Sequence, residues 1–290
     1  MTDRHSSNTA FRAAILRAVH QLIDEEPKIL NDPIVLLLLD ASTIDQIHLN
    51  PNKFRTPRMI TLRSHIVLRS RYTEDRLAGA VDNGVQQYLM LGAGLDTFPY
   101  RQPPWARVLR IFEVDRSASQ RSKRERLASG GVEVPSNVEL IACDFETTSL
   151  GDCLRKSSFD FGKPAFLSWL GVTMYLSRDA IDAVFRFVSS LQRSSEIAFT
   201  FASPTSLISE RITASAAAQG EPWRTRFEPN DLAHKLQGLG FSRVSFLSTS
   251  EAETRYFRGR HDGLHAPRKV GIVTATVEVH PLAASSIIHR

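Results

Sequence analysis

From Gln87 onward the chain alternates short apolar runs with stretches of helical period, and this alternation limits its fold more than any other feature. The runs are QYLML (87–91), RVLRIFEVD (107–115), NVELIACD (137–144), AFLSWLGV (165–172) and EIAFTFAS (196–203). Strands separated by helices predict a parallel sheet covered on both faces, because a parallel connection must cross over the sheet. Two last runs, SRVSFLS (242–248) and KVGIVTATVEV (269–279), are joined without a helical segment, so the closing strand is expected to be antiparallel.

The expected fold class is therefore α/β: a Rossmann-like, doubly wound, mostly parallel seven-stranded sheet with an antiparallel last strand. Residues 177–191, SRDAIDAVFRFVSSL, carry Ile181, Val184, Phe185 and Val188 on one stripe behind a Ser cap, which suits a helix packed on such a sheet. Residues 228–241 predict a second helix, ending on Gly240. Ahead of the sheet the period is helical throughout. Phe11, Ala14, Ile15, Ala18, Val19 and Leu22 share one face of a helix over 9–23, with Thr9 as its cap. A second helical stretch follows Asp32-Pro33, a loop with two prolines and two asparagines fills 50–58, and 59–82 is helical again. Two units are expected: a helical cap over residues 1–85 and a core over 86–290.

Composition narrows the function. A chain of 290 residues, 42% of them hydrophobic, has ample material for a core. Its net charge of +5 would permit an anionic partner, but the basic residues are scattered. The densest cluster, RSKRERL (121–127), has no interleaved aromatic residues and reads as a solvated helix face, so no nucleic-acid partner is expected. The cysteines, Cys143 and Cys153, offer neither a disulfide framework nor metal-ligand spacing, which fits a reducing cytoplasm. The first fourteen residues have no apolar stretch of signal-peptide length, and IVLLLL (34–39) is too short to cross a bilayer, so no membrane partner is expected either.

The first strand ends in LMLGAGLDT (89–97), at the carboxyl edge where ligands of open α/β sheets settle. Two glycines allow close approach of the backbone to a ligand, yet the third glycine of a dinucleotide turn is replaced by Leu95-Asp96-Thr97. Asp96 at the mouth of the next helix disfavours a pyrophosphate. Asp115 ends the second strand, 21 residues after Gly94, where a carboxylate commonly accepts from ribose hydroxyls. Asp144 ends the third strand and is followed by Phe145, a pair suited to an adenine amino group and ring. The competing reading is that each acid caps the helix after its strand. Three acids after three strands beside a GxG turn favour a nucleoside without pyrophosphate, and S-adenosyl-L-methionine fits better than NAD.

QYLMLGAGLDTFPYR, FEVDRSASQRSKRERL, ACDFE and WLGVTMYLS, with AAILRAV, NDPIV and LRSRYTEDRL ahead of them, resemble the leucine carboxyl methyltransferase family of S-adenosylmethionine-dependent methyltransferases, especially its bacterial and fungal small-molecule O-methyltransferase branch. The resemblance spans roughly residues 9–280. It implies that Gly92, Ala93 and Gly94 line the methionine part, Asp115 holds the ribose, and Asp144 with Phe145 holds the adenine. It implies that Arg71 clamps the methionine carboxylate, with Arg69 as substitute if the register differs, and that Arg17 also reaches the cofactor. Leu170, in SWLGVTMYL, departs from the family, which has an acid there near the cofactor ammonium. Another group substitutes, or cofactor binding is weak, or the chain has left methyl transfer.

A sulfonium donor asks little of a protein beyond holding the acceptor in line, and a carboxylate acceptor needs no base whereas a hydroxyl does. His20, His48, His65, His234, His261 and His265 are scattered, and none reads as a base. Tyr175 and Arg101 are the candidates for positioning substrate. The leading function is a methyl transfer to a carboxylate or hydroxyl of a small metabolite by a monomer or homodimer. A repurposed, non-catalytic cofactor binder and a nicotinamide-dependent oxidoreductase are the alternatives.

Overall fold

The computed structural model describes residues 8–204 and 222–278. Seven strands form one sheet: β1 (Gln87–Leu91), β2 (Arg110–Asp115), β3 (Val138–Ala142), β4 (Phe166–Trp169), β5 (Glu196–Thr200), β6 (Phe241–Phe246) and β7 (Ile272–Val277), in the order β3-β2-β1-β4-β5-β7-β6. The first five are mutually parallel, and β7 runs antiparallel to both β5 and β6. The order reverses direction between β1 and β4, the topological switch point where such sheets bind ligands.

The central parallel strands β1, β4 and β5 are buried at every position, as strands covered on both faces must be, while the edge strand β3 is mostly half-buried. Helix α5 (Ser117–Ser129) follows β2, the short α6 (Leu150–Leu154) follows β3, α7 (Arg178–Ser189) follows β4, and α8 (Pro229–Gly238) precedes β6. Ser177 caps α7, accepting from the Ala180 N–H, and Ile181, Val184, Phe185 and Val188 are buried against the sheet as the stripe predicts. Gly240, at φ +100, lets the chain turn out of α8 into β6.

Ahead of β1 stand α1 (Asn8–Ile23), α2 (Ile34–Leu37), α3 (Ala41–Leu49) and the long α4 (Pro57–Asp82). Helix α1 already includes Asn8, so Thr9 lies inside it rather than capping it. The proline-rich segment contains a single 3₁₀ turn, Pro51–Phe54, and Thr56 caps α4 by accepting from the Met59 N–H. A buried network ties these helices together. Arg63 of α4 donates through Nε and Nη2 to the two oxygens of Asp24, at 2.7 and 2.9 Å, and through Nη1 to the Phe54 carbonyl at 2.8 Å. His20 sits 2.8 Å from the same Asp24 and is fully buried, so its role is structural.

Cys143 and Cys153 are bonded to each other, with Cα atoms 6.0 Å apart. This corrects the expectation that the pair forms no disulfide: a separation of ten residues is closed because Cys143 leaves β3 directly under α6, which carries Cys153. Among the described residues no helix is long and apolar enough to cross a membrane.

Candidate active site

The turn after β1 is held open by its glycines. Gly92 and Gly94 have φ of +65° and +49°, in the region that side chains rarely occupy. A Cβ on Gly92 would stand 2.5 Å from Cγ2 of Val172, so the Val172 side chain packs directly on the turn and leaves room there only for glycine. Asp115 is fixed to the turn: one oxygen accepts from the Gly94 N–H and the other from the Arg116 N–H, both at 2.7 Å. It is therefore not the side-chain cap of α5, whose N-cap is Arg116. Asp144 accepts from the Glu146 N–H at 3.0 Å, a local loop bond, and Phe145 packs edge to face on Trp169 with ring centres 6.0 Å apart. Asp96 alone of the three acids bonds the start of a helical turn, accepting from the Phe98 N–H at 2.9 Å.

These groups open into one cavity of about 1760 Å³. A site for one small ligand typically measures roughly 300–1,000 Å³, so there is room for a nucleoside cofactor and a second molecule. The core contributes Gly92, Ala93, Gly94, Asp115, Asp144, Phe145, Leu170 and Tyr175 to its wall, and α1 and α4 contribute Arg17, His65 and Arg69.

The arginines divide in a way the sequence could not show. Arg17 is buried, lies 3.2 Å from Asp32 and donates to the Leu95 carbonyl, which anchors α1 against the turn. Arg71 lies outside the cavity wall: its guanidinium is half exposed and bonds Asp75 on the next turn of α4 at 2.8 Å. Two residues along a helix is a rotation of about 200°, so Arg69 faces the cavity where Arg71 cannot. The Arg69 guanidinium reaches the end of β4, where Nη1 would be 2.6 Å from a Cβ on Gly171. Among the described residues it has no ion pair, and burial together with the like charge of Arg17 pulls its pKa down to about 10. A charged fork held over the end of β4, acted on by Asp96 from a distance but closed into no ion pair among the described residues, suits a carboxylate.

Arg101 is likewise absent from the wall. It pairs with Glu74, bonds Thr97 at 3.2 Å and lies 3.4 Å from Asp32, so it is a buried strut between the turn and the helices rather than a substrate-positioning residue. Tyr175 does line the cavity. So does His65, which the sequence reading passed over among scattered histidines; burial and then Arg69 push its pKa down to about 3, so it stands neutral in the wall. Its position four residues before Arg69, on the same helix face, is the signal that could have found it.

The chain matches the sequence profile of the leucine carboxyl methyltransferase family over residues 10–189, well over half its length. It is similar to YktD of Bacillus subtilis (strain 168), which is classed by name as an S-adenosyl-L-methionine-dependent methyltransferase: the two are 29% identical over 92% of this chain and 96% of that protein. It is also similar to a Mycobacterium avium (strain 104) protein of the same description, at 28% identity over 72% of each chain. In fold it resembles a DUF574 family protein of Streptomyces avermitilis MA-4680, with a TM-score of 0.59 at 16% identity over 92% of this chain and 97% of that one. A methyltransferase structure from Thermobifida fusca YX gives a TM-score of 0.57 at 19% identity, covering 92% and 94%. The chain belongs to the leucine carboxyl methyltransferase family and is an S-adenosyl-L-methionine-dependent methyltransferase.

Proposed function

We propose that this methyltransferase esterifies a carboxylate of a small metabolite, with residues 1–85 forming the cap over the acceptor and residues 86–290 holding the cofactor. In this reading Asp115 accepts from the ribose hydroxyls, Asp144 and Phe145 receive the adenine, and the Gly92–Gly94 turn lies along the methionine, whose carboxylate Arg69 holds. The cofactor supplies an electrophilic methyl group on a sulfonium. What remains for the protein is to exclude water, to hold the acceptor oxygen in line with that methyl, and to avoid quenching the acceptor charge. In this reading Tyr175, which lines the cavity after β4, orients the acceptor. Nothing in this reading calls for a nucleic acid, a membrane or more than one or two copies of the chain.

A carboxylate acceptor is supported over a hydroxyl by the basic lining of the cavity, and the neutral His65 in its wall fits the same choice. A hydroxyl needs a base poised near working pH, and the histidine beside Arg69 is held far below it. The charge of the opposite end supports the same choice. His265 bonds Ser64 through its backbone N–H at 3.3 Å, which brings the 265–269 segment alongside α4, and His265, Arg268 and Lys269 line the cavity there with Arg58. Such a basic rim draws in an anion.

The pH profile of turnover tests the choice. Carboxylic acids are ionised well below neutrality, so the rate should stay flat between about pH 6 and 9. A rate climbing tenfold per unit over part of that range would mean a hydroxyl acceptor with a base. The ribose contact has its own check. Asp115→Ala is expected to weaken S-adenosylmethionine by about 10- to 100-fold, from about 1.5 to 3 kcal/mol lost with hydrogen bonds to a charged group. Unchanged affinity by calorimetry would leave Asp115 only its bond to the turn.

A further inference from the structure

The methionine end of the cofactor is a zwitterion, and only its carboxylate has been given a partner. Leu170 lines the cavity just after β4, and by the family resemblance it occupies the place of an acid that would meet the ammonium. It offers no acceptor. An ammonium enclosed without one is costly, so either binding is weak or a different acid has taken over the contact.

Five acids line the cavity: Asp96, Asp115, Asp144, Glu146 and Glu228. Asp115 ends β2 and Asp144 follows β3, where the proposed function already gives them the ribose and the adenine. Glu146 accepts from the Ser177 N–H and hydroxyl, both at 2.8 Å, and pairs with Arg224 at 3.0 Å. Glu228 is exposed at the start of α8. Asp96 is different in each respect. It follows the turn at the end of β1, and β1 pairs directly with β4, whose end carries Leu170 and, beyond it, the Gly171 over which Arg69 lies. Neighbouring strands are about 5 Å apart, and the Asp96 carboxylate is close enough to Arg69 to act on its charge. One oxygen of Asp96 accepts from Phe98; the other has no hydrogen-bond partner among the described residues and is not sealed from solvent.

We propose that Asp96 holds the ammonium of the methionine moiety, replacing across the β1–β4 seam the acid that Leu170 displaces. The inference rests on the reading of this cavity as the methyl-donor site. Arg69 and Asp96 then form a matched clamp, cation for carboxylate and anion for ammonium. Burial alone would raise the Asp96 carboxyl, but Arg17 and Arg101 outweigh it and hold the group below the ordinary carboxylate range, so it is charged when the cofactor arrives.

The test compares S-adenosylhomocysteine with an analogue in which hydrogen replaces the amino group, by calorimetry. The wild type is expected to prefer the parent ligand by about 10-fold or more, and Asp96→Asn to lose that preference while binding the deaminated analogue nearly as before, since asparagine can still accept from Phe98. Adding Leu170→Glu to Asp96→Asn should restore the preference from the other side of the seam. In the wild-type background, Leu170→Glu should change it by less than about 3-fold, because the ammonium is already paired. A preference that survives Asp96→Asn would overturn the proposal. If that variant does not fold, a tenfold gain from Leu170→Glu alone would overturn it equally, by showing the ammonium to have been unpaired. Failure of the wild type to bind either ligand would instead remove the donor site on which the inference depends.

Discussion

Arg69→Ala should lower the affinity for S-adenosylmethionine by on the order of 100-fold or more, while Arg71→Ala leaves it unchanged. A guanidinium that meets a carboxylate with two donors loses two charge-assisted hydrogen bonds on truncation, each worth about 1.5 to 3 kcal/mol. The loss should be at the upper end because Arg69 forms no ion pair among the described residues that would hold its charge away from the ligand. Arg71 already spends its charge on Asp75 at the surface, where an i,i+4 pair contributes roughly 0.5 kcal/mol to stability and nothing to the cavity. Arg69→Lys should recover only part of the affinity, since a point charge cannot reproduce the fork. Calorimetry on the three variants decides it. An effect of Arg71→Ala comparable to that of Arg69→Ala would mean that α4 is rotated from the orientation described.

Arg63→Met should destabilise the fold by about 3–5 kcal/mol. The change leaves the Asp24 carboxylate, 6% exposed, without its two-pronged partner and with only His20 beside it. Removing one member of a buried pair costs far more than the pair itself contributes, because the other charge stays out of water. The same bonds fix α1 against α4, the two helices that carry Arg17 and Arg69 to the cofactor, so the variant should also bind S-adenosylmethionine more weakly at temperatures where it is still folded. Urea unfolding measures the first effect. A loss under about 1 kcal/mol would show that Asp24 is solvated after all.

The sheet was readable because its strands announce themselves twice, by apolar runs of strand length and by the turn residues that end them. Gln87–Leu91 and Glu196–Thr200 lie within the runs that the sequence marks. The acids at strand ends were readable for the same reason, since a strand end fixes a residue's place at the carboxyl edge whatever its side chain does. Helix α4 was not readable in this sense. LRSRYTED alternates arginine with other residues over a helix whose two faces are both partly buried, so nothing in the sequence sets the phase that separates Arg69 from Arg71. Arg101 was misjudged because its partners, Glu74 and Asp32, are distant in sequence and meet it only in the fold. The Cys143–Cys153 bond is not legible in the sequence, because spacing alone does not reveal that α6 returns to the end of β3. In the sequence Asp96 argues only against a pyrophosphate; the proposed ammonium contact gives it a positive role that needs the fold to be seen.

The most direct measurement follows the methyl group. The protein is incubated with S-adenosylmethionine labelled in the methyl carbon and a panel of aromatic and aliphatic carboxylic acids and phenols, and each labelled product is treated with mild base. Transfer to a carboxylate gives a methyl ester, which base hydrolyses to labelled methanol, and that release is the predicted result. Label retained through the base treatment, as in a methyl ether of a phenol, would contradict the account.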